Sequence, residues 1–142
     1  MSDFNPVVHF EMGYNDRERM VKFYETALGW KTQPMGPEMG NYVVAQTAET
    51  GEDGMVKTTG AINGGFYQKT DDPTSLAPSV VVSVKDIKAA MKAIVDAGGK
   101  ILGTMDQKGE HTLEPQMIPG VGLWISAMDT EENRFSILQT QV

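Results

Sequence analysis

The sequence predicts an α+β protein made of two tandem βαβββ modules, with helices outside a curved mixed sheet that lines a central cup. Three observations carry this. Short β-rich runs outnumber the helical segments, of which there are two. The order β-α-β-β-β occurs, and after a linker it occurs again; internal repetition of this kind decides architecture. The spacing also repeats: His9 to Gly29 and Ser79 to Gly99 are both 20 residues, while His9 to Asn63 is 54 and Ser79 to Ser136 is 57. Identity between the halves is poor, so the repeat rests on element order and spacing.

The first module spans about residues 5–69. Residues 7–12, Val-Val-His-Phe-Glu-Met, alternate as a strand does, and Gly13-Tyr14-Asn15 follows as a turn. Asp16 to Leu28 reads as a helix, because Met20, Phe23, Tyr24, Ala27 and Leu28 recur at three- and four-residue spacing. Asn15 with Glu18 fits a capping box. Gly29 fits the left-handed position that closes a helix. Trp30-Lys31-Thr32 opens a second strand, and Pro34, Gly36, Pro37 and Gly40 mark a loop. Strands are expected over Asn41 to Thr47 and Gly60 to Gln68, separated by a turn from Glu49 to Gly54.

Residues 70–78, with Asp71-Asp72-Pro73 and Pro78, form the linker. The second module, 79–142, starts with a β-rich run from Ser79 to Val84. A helix from Lys85 to Ala97 follows, with Ile87, Ala90, Met91 and Ile94 on one face and Gly98-Gly99 at its end. Strands are expected over Lys100 to Met105, Gly122 to Asp129 and Arg134 to Gln141, with a long loop at 106–120 and a tight turn from Asp129 to Asn133.

Composition narrows the function. A length of 142 residues suits one domain with a real core. The absence of cysteine excludes disulfides, thiolate zinc sites and cysteine nucleophiles. A net charge of -7 with scattered basic residues argues against nucleic-acid binding. No apolar run reaches membrane-span length, and Met1-Ser2-Asp3-Phe4 shows no signal peptide, so a cytoplasmic protein is expected. Ten methionines suit flexible filling of apolar space.

In a strand, neighbouring residues face opposite ways. Val8, Phe10 and Met12 therefore suit packing under a helix, while His9 and Glu11 aim at the cup. An unperturbed histidine titrates near neutral pH, and a carboxyl in a dry cup becomes a plausible base. His9 and Glu11 are accordingly the candidate catalytic groups. Glu110, His111 and Glu114 form a titratable cluster in the long loop, where a solvated loop is the ordinary reading. The Gly60 to Gly65 stretch is no phosphate loop; its glycines fit close strand approach or a bulge. Among Trp30, Tyr42, Tyr67 and Trp124, most should be core, with one or two lining the cup.

Three segments together carry a family resemblance. Val8-His9-Phe10 leads through Lys22-Phe23-Tyr24 to Leu28-Gly29-Trp30; Gly60-Ala61-Ile62-Asn63-Gly64-Gly65-Phe66 ends the first module; Asp129-Thr130-Glu131-Glu132-Asn133-Arg134-Phe135 resembles an Asp-Pro-Glu-Gly-Asn-aromatic signature in the second. In this order they resemble the vicinal oxygen chelate superfamily, which holds glyoxalases, extradiol dioxygenases and bleomycin-resistance proteins. The resemblance places metal ligands at four strand positions, here His9, Asn63, Ser79 and Ser136. Only His9 is a good ligand for a divalent transition metal, and a catalytic metal normally needs about three. No metal or other cofactor is expected.

The resulting expectation is a glyoxalase-like protein that binds a small organic molecule in its cup, with His9, Glu11, Asn63, Ser79, Ser136 and Trp124 as contacts. The alternatives are a metal-dependent lyase, isomerase or dioxygenase, and an accessory protein with a vestigial cup. The resemblance implies a homodimer; no nucleic acid or membrane partner is expected.

Overall fold

The structure is a computed structural model that describes residues 4–106 and 108–140. The described residues hold ten strands and two α-helices, which give the α+β class its content. The chain divides into two compact units, one from His9 to Pro78 and one from Ser79 onward that also takes in the residues before His9.

In the first unit, β1 (Val7–Tyr14), α1 (Arg17–Leu28), β2 (Lys31–Pro34), β3 (Val43–Gln46) and β4 (Asn63–Gln68) follow the predicted order. The strands lie side by side as β2-β3-β4-β1, with β1 and β4 parallel and the other pairs antiparallel. Asp16 caps α1, its carboxylate accepting the Arg19 N–H at 3.0 Å, so the cap falls one residue beyond the expected Asn15. Gly29 closes the helix at φ 70°, as predicted. The apolar stripe shifts from expectation: Phe23 and Leu28 are exposed, and Met20, Val21 and Tyr24 face inward. They pack with Phe10, Met12 and Trp30 on a core of Tyr14, Val43, Ala45 and Phe66.

Strand ends moved for local reasons. β1 runs on through Gly13 to Tyr14, because the Tyr14 ring joins the core and its hydroxyl donates to the Asn41 carbonyl at 2.8 Å. β3 and β4 start later than expected, after Asn41 and Gly60, both at positive φ (57° and 88°), a conformation no strand adopts. The linker carries a 3-10 turn at Pro73–Ser75, capped by Asp72.

In the second unit, β5 (Ser79–Ser83), α2 (Ile87–Asp96), β6 (Lys100–Met105), β7 (His111–Thr112), β8 (Gln116–Ile118), β9 (Gly122–Met128) and β10 (Arg134–Thr140) are found. The strand order is β5-β10-β9-β6-β7, with β8 also on β9. β5 and β10 are parallel, and β9 is antiparallel to β10 and β6. The order β1-β4-β3-β2 of the first unit thus recurs as β5-β10-β9-β6, which is the predicted repeat. Asp86 caps α2 through the Ala89 N–H. Its predicted face (Ile87, Ala90, Met91, Ile94) covers Val84, Ile125 and Ile137. The Pro6 carbonyl accepts the Ser83 N–H at 2.8 Å, tying the start of the chain to this unit.

The segment 106–120 is not the irregular loop expected. It holds β7, paired with the end of β6, and β8, paired with β9. Two- and three-residue strands are too short to show alternation in sequence. The predicted end of the last strand at Gln141 lies outside the described residues, as does Gln107. Among the described residues, no helix is long and apolar enough to cross a membrane.

Candidate functional site

In each unit the helix covers one face of the sheet and leaves the other to the residues of opposite parity. On the first unit's uncovered face, His9 and Asn63 are direct partners of the parallel β1–β4 ladder, and Glu11 is beside Gly65. Gly64 and Gly65 explain what this face holds. A Cβ at Gly64 would sit 2.3 Å from the Phe10 ring on the helix side; one at Gly65 would sit 2.0 Å from the Tyr42 hydroxyl on the other. Each glycine seats an aromatic ring against bare backbone. The register through this pair is unbroken, so a bulge does not account for these two glycines.

Tyr42 therefore belongs to the same cluster as His9 and Glu11. The His9 Nε2 lies 3.0 Å from its hydroxyl. Burial raises the Tyr42 pKa far above the ordinary phenol value, and the charge of Glu11 and a hydrogen bond to it add to the shift. A hydrogen bond that favours the protonated phenol has the Tyr42 O–H donating to the Glu11 carboxylate. The phenol oxygen then accepts from His9 Nε2–H, and Nδ1 is the unprotonated ring nitrogen. Burial also lowers the His9 pKa below its usual 6.5, which favours this neutral imidazole. Glu11 itself is 8% exposed, so the phenol satisfies a carboxylate that would otherwise be costly to bury.

Asn63 has one end committed. Its Oδ1 accepts the Thr47 N–H at 2.8 Å, and the Thr47 hydroxyl donates to the Ile62 carbonyl at 2.5 Å. The amide NH2 is the end left for other contacts. The donor set does not fit a divalent transition metal. Among the described residues no three His, Asp or Glu gather, His9 Nε2 faces a phenol, and the Asn63 oxygen faces backbone.

On the second unit's uncovered face, Ser136 lies opposite Ser126 across β9–β10 and beside Val81 of β5. By the same registers Ser79, Trp124 and Arg134 share this face. Ser136, Ser126 and Ser79 are buried, at 0%, 4% and 7% exposure. The hydroxyls of Ser79 and Ser136 have no hydrogen-bond partner among the described residues, while Arg134 Nη2 donates to the Ser126 hydroxyl at 3.1 Å. Trp124 is half-buried opposite Leu138.

Sequence reasoning named Tyr42 only as one of four aromatics of which one or two would line the cup, and named neither Ser126 nor Arg134 as a site residue. The last two were within reach: a tight turn over Asp129 to Asn133 sets Ser126 against Ser136 and puts Arg134 two residues away on the same face. Tyr42 was not, because it meets His9 only through the β4–β3 register. The Glu110-His111-Glu114 cluster does local work instead. His111 Nε2 lies 2.6 Å from the Leu102 carbonyl, the Glu110 N–H is held by Asp106, and Glu114 is paired with Lys88.

Comparison with known proteins finds a family match over part of the chain and a likeness of fold over nearly all of it. Residues 6–48 match the family model described as bleomycin resistance protein-like N-terminal. No curated protein matches the sequence. Among solved structures, a Streptomyces coelicolor methylmalonyl-CoA epimerase in complex with 2-nitronate-propionyl-CoA has a TM-score of 0.63 at 14% identity, over 96% of this chain and 97% of that one. A methylmalonyl-CoA epimerase in complex with methylmalonyl-CoA and NH4+ has 0.64 at 14% identity, over 97% and 96%. A hypothetical protein from Bacillus halodurans has 0.62 at 11% identity, again over 97% and 96%. Likeness at these identities is a likeness of fold.

Proposed function

We propose that this chain is a member of the vicinal oxygen chelate superfamily, a reading supported by the fold likeness over the whole chain and the match over residues 6–48, and that it binds a small organic molecule without a divalent metal. The observation that carries the reading is the Tyr42 phenol seated on Gly65 between His9 and Glu11. This arrangement offers a ligand two acceptors, His9 Nδ1 and the Glu11 carboxylate, and one donor group, the Asn63 amide NH2. A few such groups on an otherwise shaped surface are how small-molecule sites obtain specificity. The matching ligand carries a hydroxyl or N–H together with a carbonyl. Glu11 and His9 are the two groups that could exchange a proton with it. Ser79, Ser136 and Trp124 are proposed as ligand contacts on the second unit's own uncovered face, and the pairing of two chains is proposed as well.

A second reading is favoured by one feature. The Tyr42 ring occupies the space over Gly65, as it would in an accessory protein whose ligand surface is filled from within.

Native mass spectrometry with metal analysis on freshly purified protein tests both. The expected result is a retained organic mass and no stoichiometric metal, with retention weakened in Tyr42→Phe and Glu11→Gln. A stoichiometric divalent metal that disappears in His9→Ala overturns the proposal. A bare mass that takes up no small molecule favours the second reading.

A further inference from the structure

Hydrogen-bond donors dominate the uncovered face of the second unit, and Ser136 is at their centre. Across β9–β10 it faces Ser126. On its other side it stands beside Val81 of β5. The same parallel register, carried two residues back, sets Arg134 beside Ser79. Three serines and one arginine thus occupy adjacent positions on three neighbouring strands. All three serines are buried.

Their hydroxyls are not equivalent. Arg134 Nη2 donates to the Ser126 hydroxyl at 3.1 Å, which draws the guanidinium across to β9, next to Ser136. The Ser79 and Ser136 hydroxyls are fully enclosed and meet no hydrogen-bond partner among the described residues. Folded chains satisfy nearly all such groups, so two left open on one face mark a place where a bound group supplies the bond. A serine hydroxyl donates or accepts, but a guanidinium only donates. A ligand group that meets all three must therefore accept. β5, β9 and β10 contain no Asp or Glu, so these strands put no negative charge on the face to repel an anion.

A carboxylate offers two oxygens with about four acceptor positions. One edge of a guanidinium and two serine hydroxyls match that number, and the planar fork of arginine suits the carboxylate plane. Arg134 and Trp124 are half-buried and flank the buried serines along the strands, so the serines form a floor that is approached between them. Trp124 stands opposite Leu138, which makes that side apolar.

We propose that Arg134, Ser79 and Ser136 form a carboxylate-binding site, and that the small organic ligand is a monocarboxylate whose apolar body lies toward Trp124 and Leu138. Ser126 is a positioning residue that holds the guanidinium. This rests on the reading above that the face contacts a ligand, and it names the ligand's charged group.

The test is titration of the full chain, labelled with 15N in its tryptophan indoles, with sodium phenylacetate. Phenylacetamide, uncharged and of the same shape, is the control, and Trp124→Phe assigns the two indole signals. The expected result is saturable movement of the Trp124 signal, with phenylacetate bound more tightly than phenylacetamide. Arg134→Gln and Ser136→Ala should each weaken phenylacetate about tenfold, the size of one hydrogen bond to a charged group. Arg134→Gln should leave phenylacetamide unchanged, and Arg134→Lys, with the charge but not the fork, should restore phenylacetate only in part. Ser136→Ala removes no hydrogen bond within the described residues, so a loss of fold does not mimic its effect. Equal affinity for the two probes, or phenylacetate binding indifferent to both Arg134→Gln and Ser136→Ala, overturns the carboxylate assignment and leaves the wider reading in place. No saturable movement of Trp124 with either probe overturns the site; the wider reading is then judged separately, by the organic mass retained in the native spectrum.

Discussion

The Tyr42 phenol rests on the backbone of Gly65 so closely that a single methyl there would fall 2.0 Å from its hydroxyl. The contact joins a residue ahead of β3 to the middle of β4, and it sets where the His9 and Glu11 side chains find their partner.

Gly65→Ala should therefore expel the ring. Overpacking of this kind costs about 1–3 kcal/mol. In a Tyr42→Ala background the same change should cost far less, giving a strongly non-additive cycle. Urea denaturation of the four proteins measures it. Additive losses would show that the two residues do not touch.

The half-buried His9 gives stability a pH dependence of known sign. Its folded pKa lies below the ordinary 6.5, so between those values the unfolded chain binds more protons. The contribution is complete above about pH 6.5 and declines as pH falls through that value toward the lower folded one. Urea midpoints at about pH 7.5 and pH 5.5 should fall on acidification, and His9→Gln should reduce the fall. An unchanged slope in the variant would place the effect elsewhere.

Tyr42 acts at the other end of the scale. Its folded pKa is raised by burial and by Glu11, so its contribution is present below about pH 10 and is lost as pH rises beyond it. Alkaline ultraviolet titration should show one tyrosine ionising only with unfolding. Glu11→Gln removes the charge and should bring that ionisation to lower pH. No movement would mean that Glu11 does not reach the phenol.

Ser136 is fully buried, and its hydroxyl lacks a partner among the described residues. Removing an unpaired buried hydroxyl relieves a desolvation cost, so Ser136→Ala should be neutral or stabilising, within about 1 kcal/mol. A loss above about 2 kcal/mol, read from urea denaturation, would reveal a strong partner for that hydroxyl.

Glu132 sits at φ 66°, in the turn that Asp129 holds through the Glu131 and Asn133 N–H groups. The Asp-Pro-Glu-Gly-Asn pattern this turn resembles has glycine at that point, and the left-handed backbone is the reason. Glu132→Gly should raise stability by about 0.5–1 kcal/mol, the strain relieved less the entropy glycine adds. A lower thermal midpoint would contradict this.

Local chemistry settled much of this protein before any tertiary contact. Gly29 and Gly98 stop the helices because few other residues take the left-handed backbone required, the stripe Ile87-Ala90-Met91-Ile94 names the buried side of α2, and the repeat of spacing gives the order of elements. His9 and Glu11 share a face because strand residues alternate. What the sequence left open were pairings between distant segments. β7 and β8 exist only because β6 and β9 hold them. The inward role of Val21 over Phe23 depends on where the sheet lies beneath α1. The placement of Tyr42 over Gly65, 23 positions away, depends on the β3–β4 register. Periodicity reports which way a side chain points along its own element; which partner it meets there is set by register across elements, and that is fixed when the chain folds.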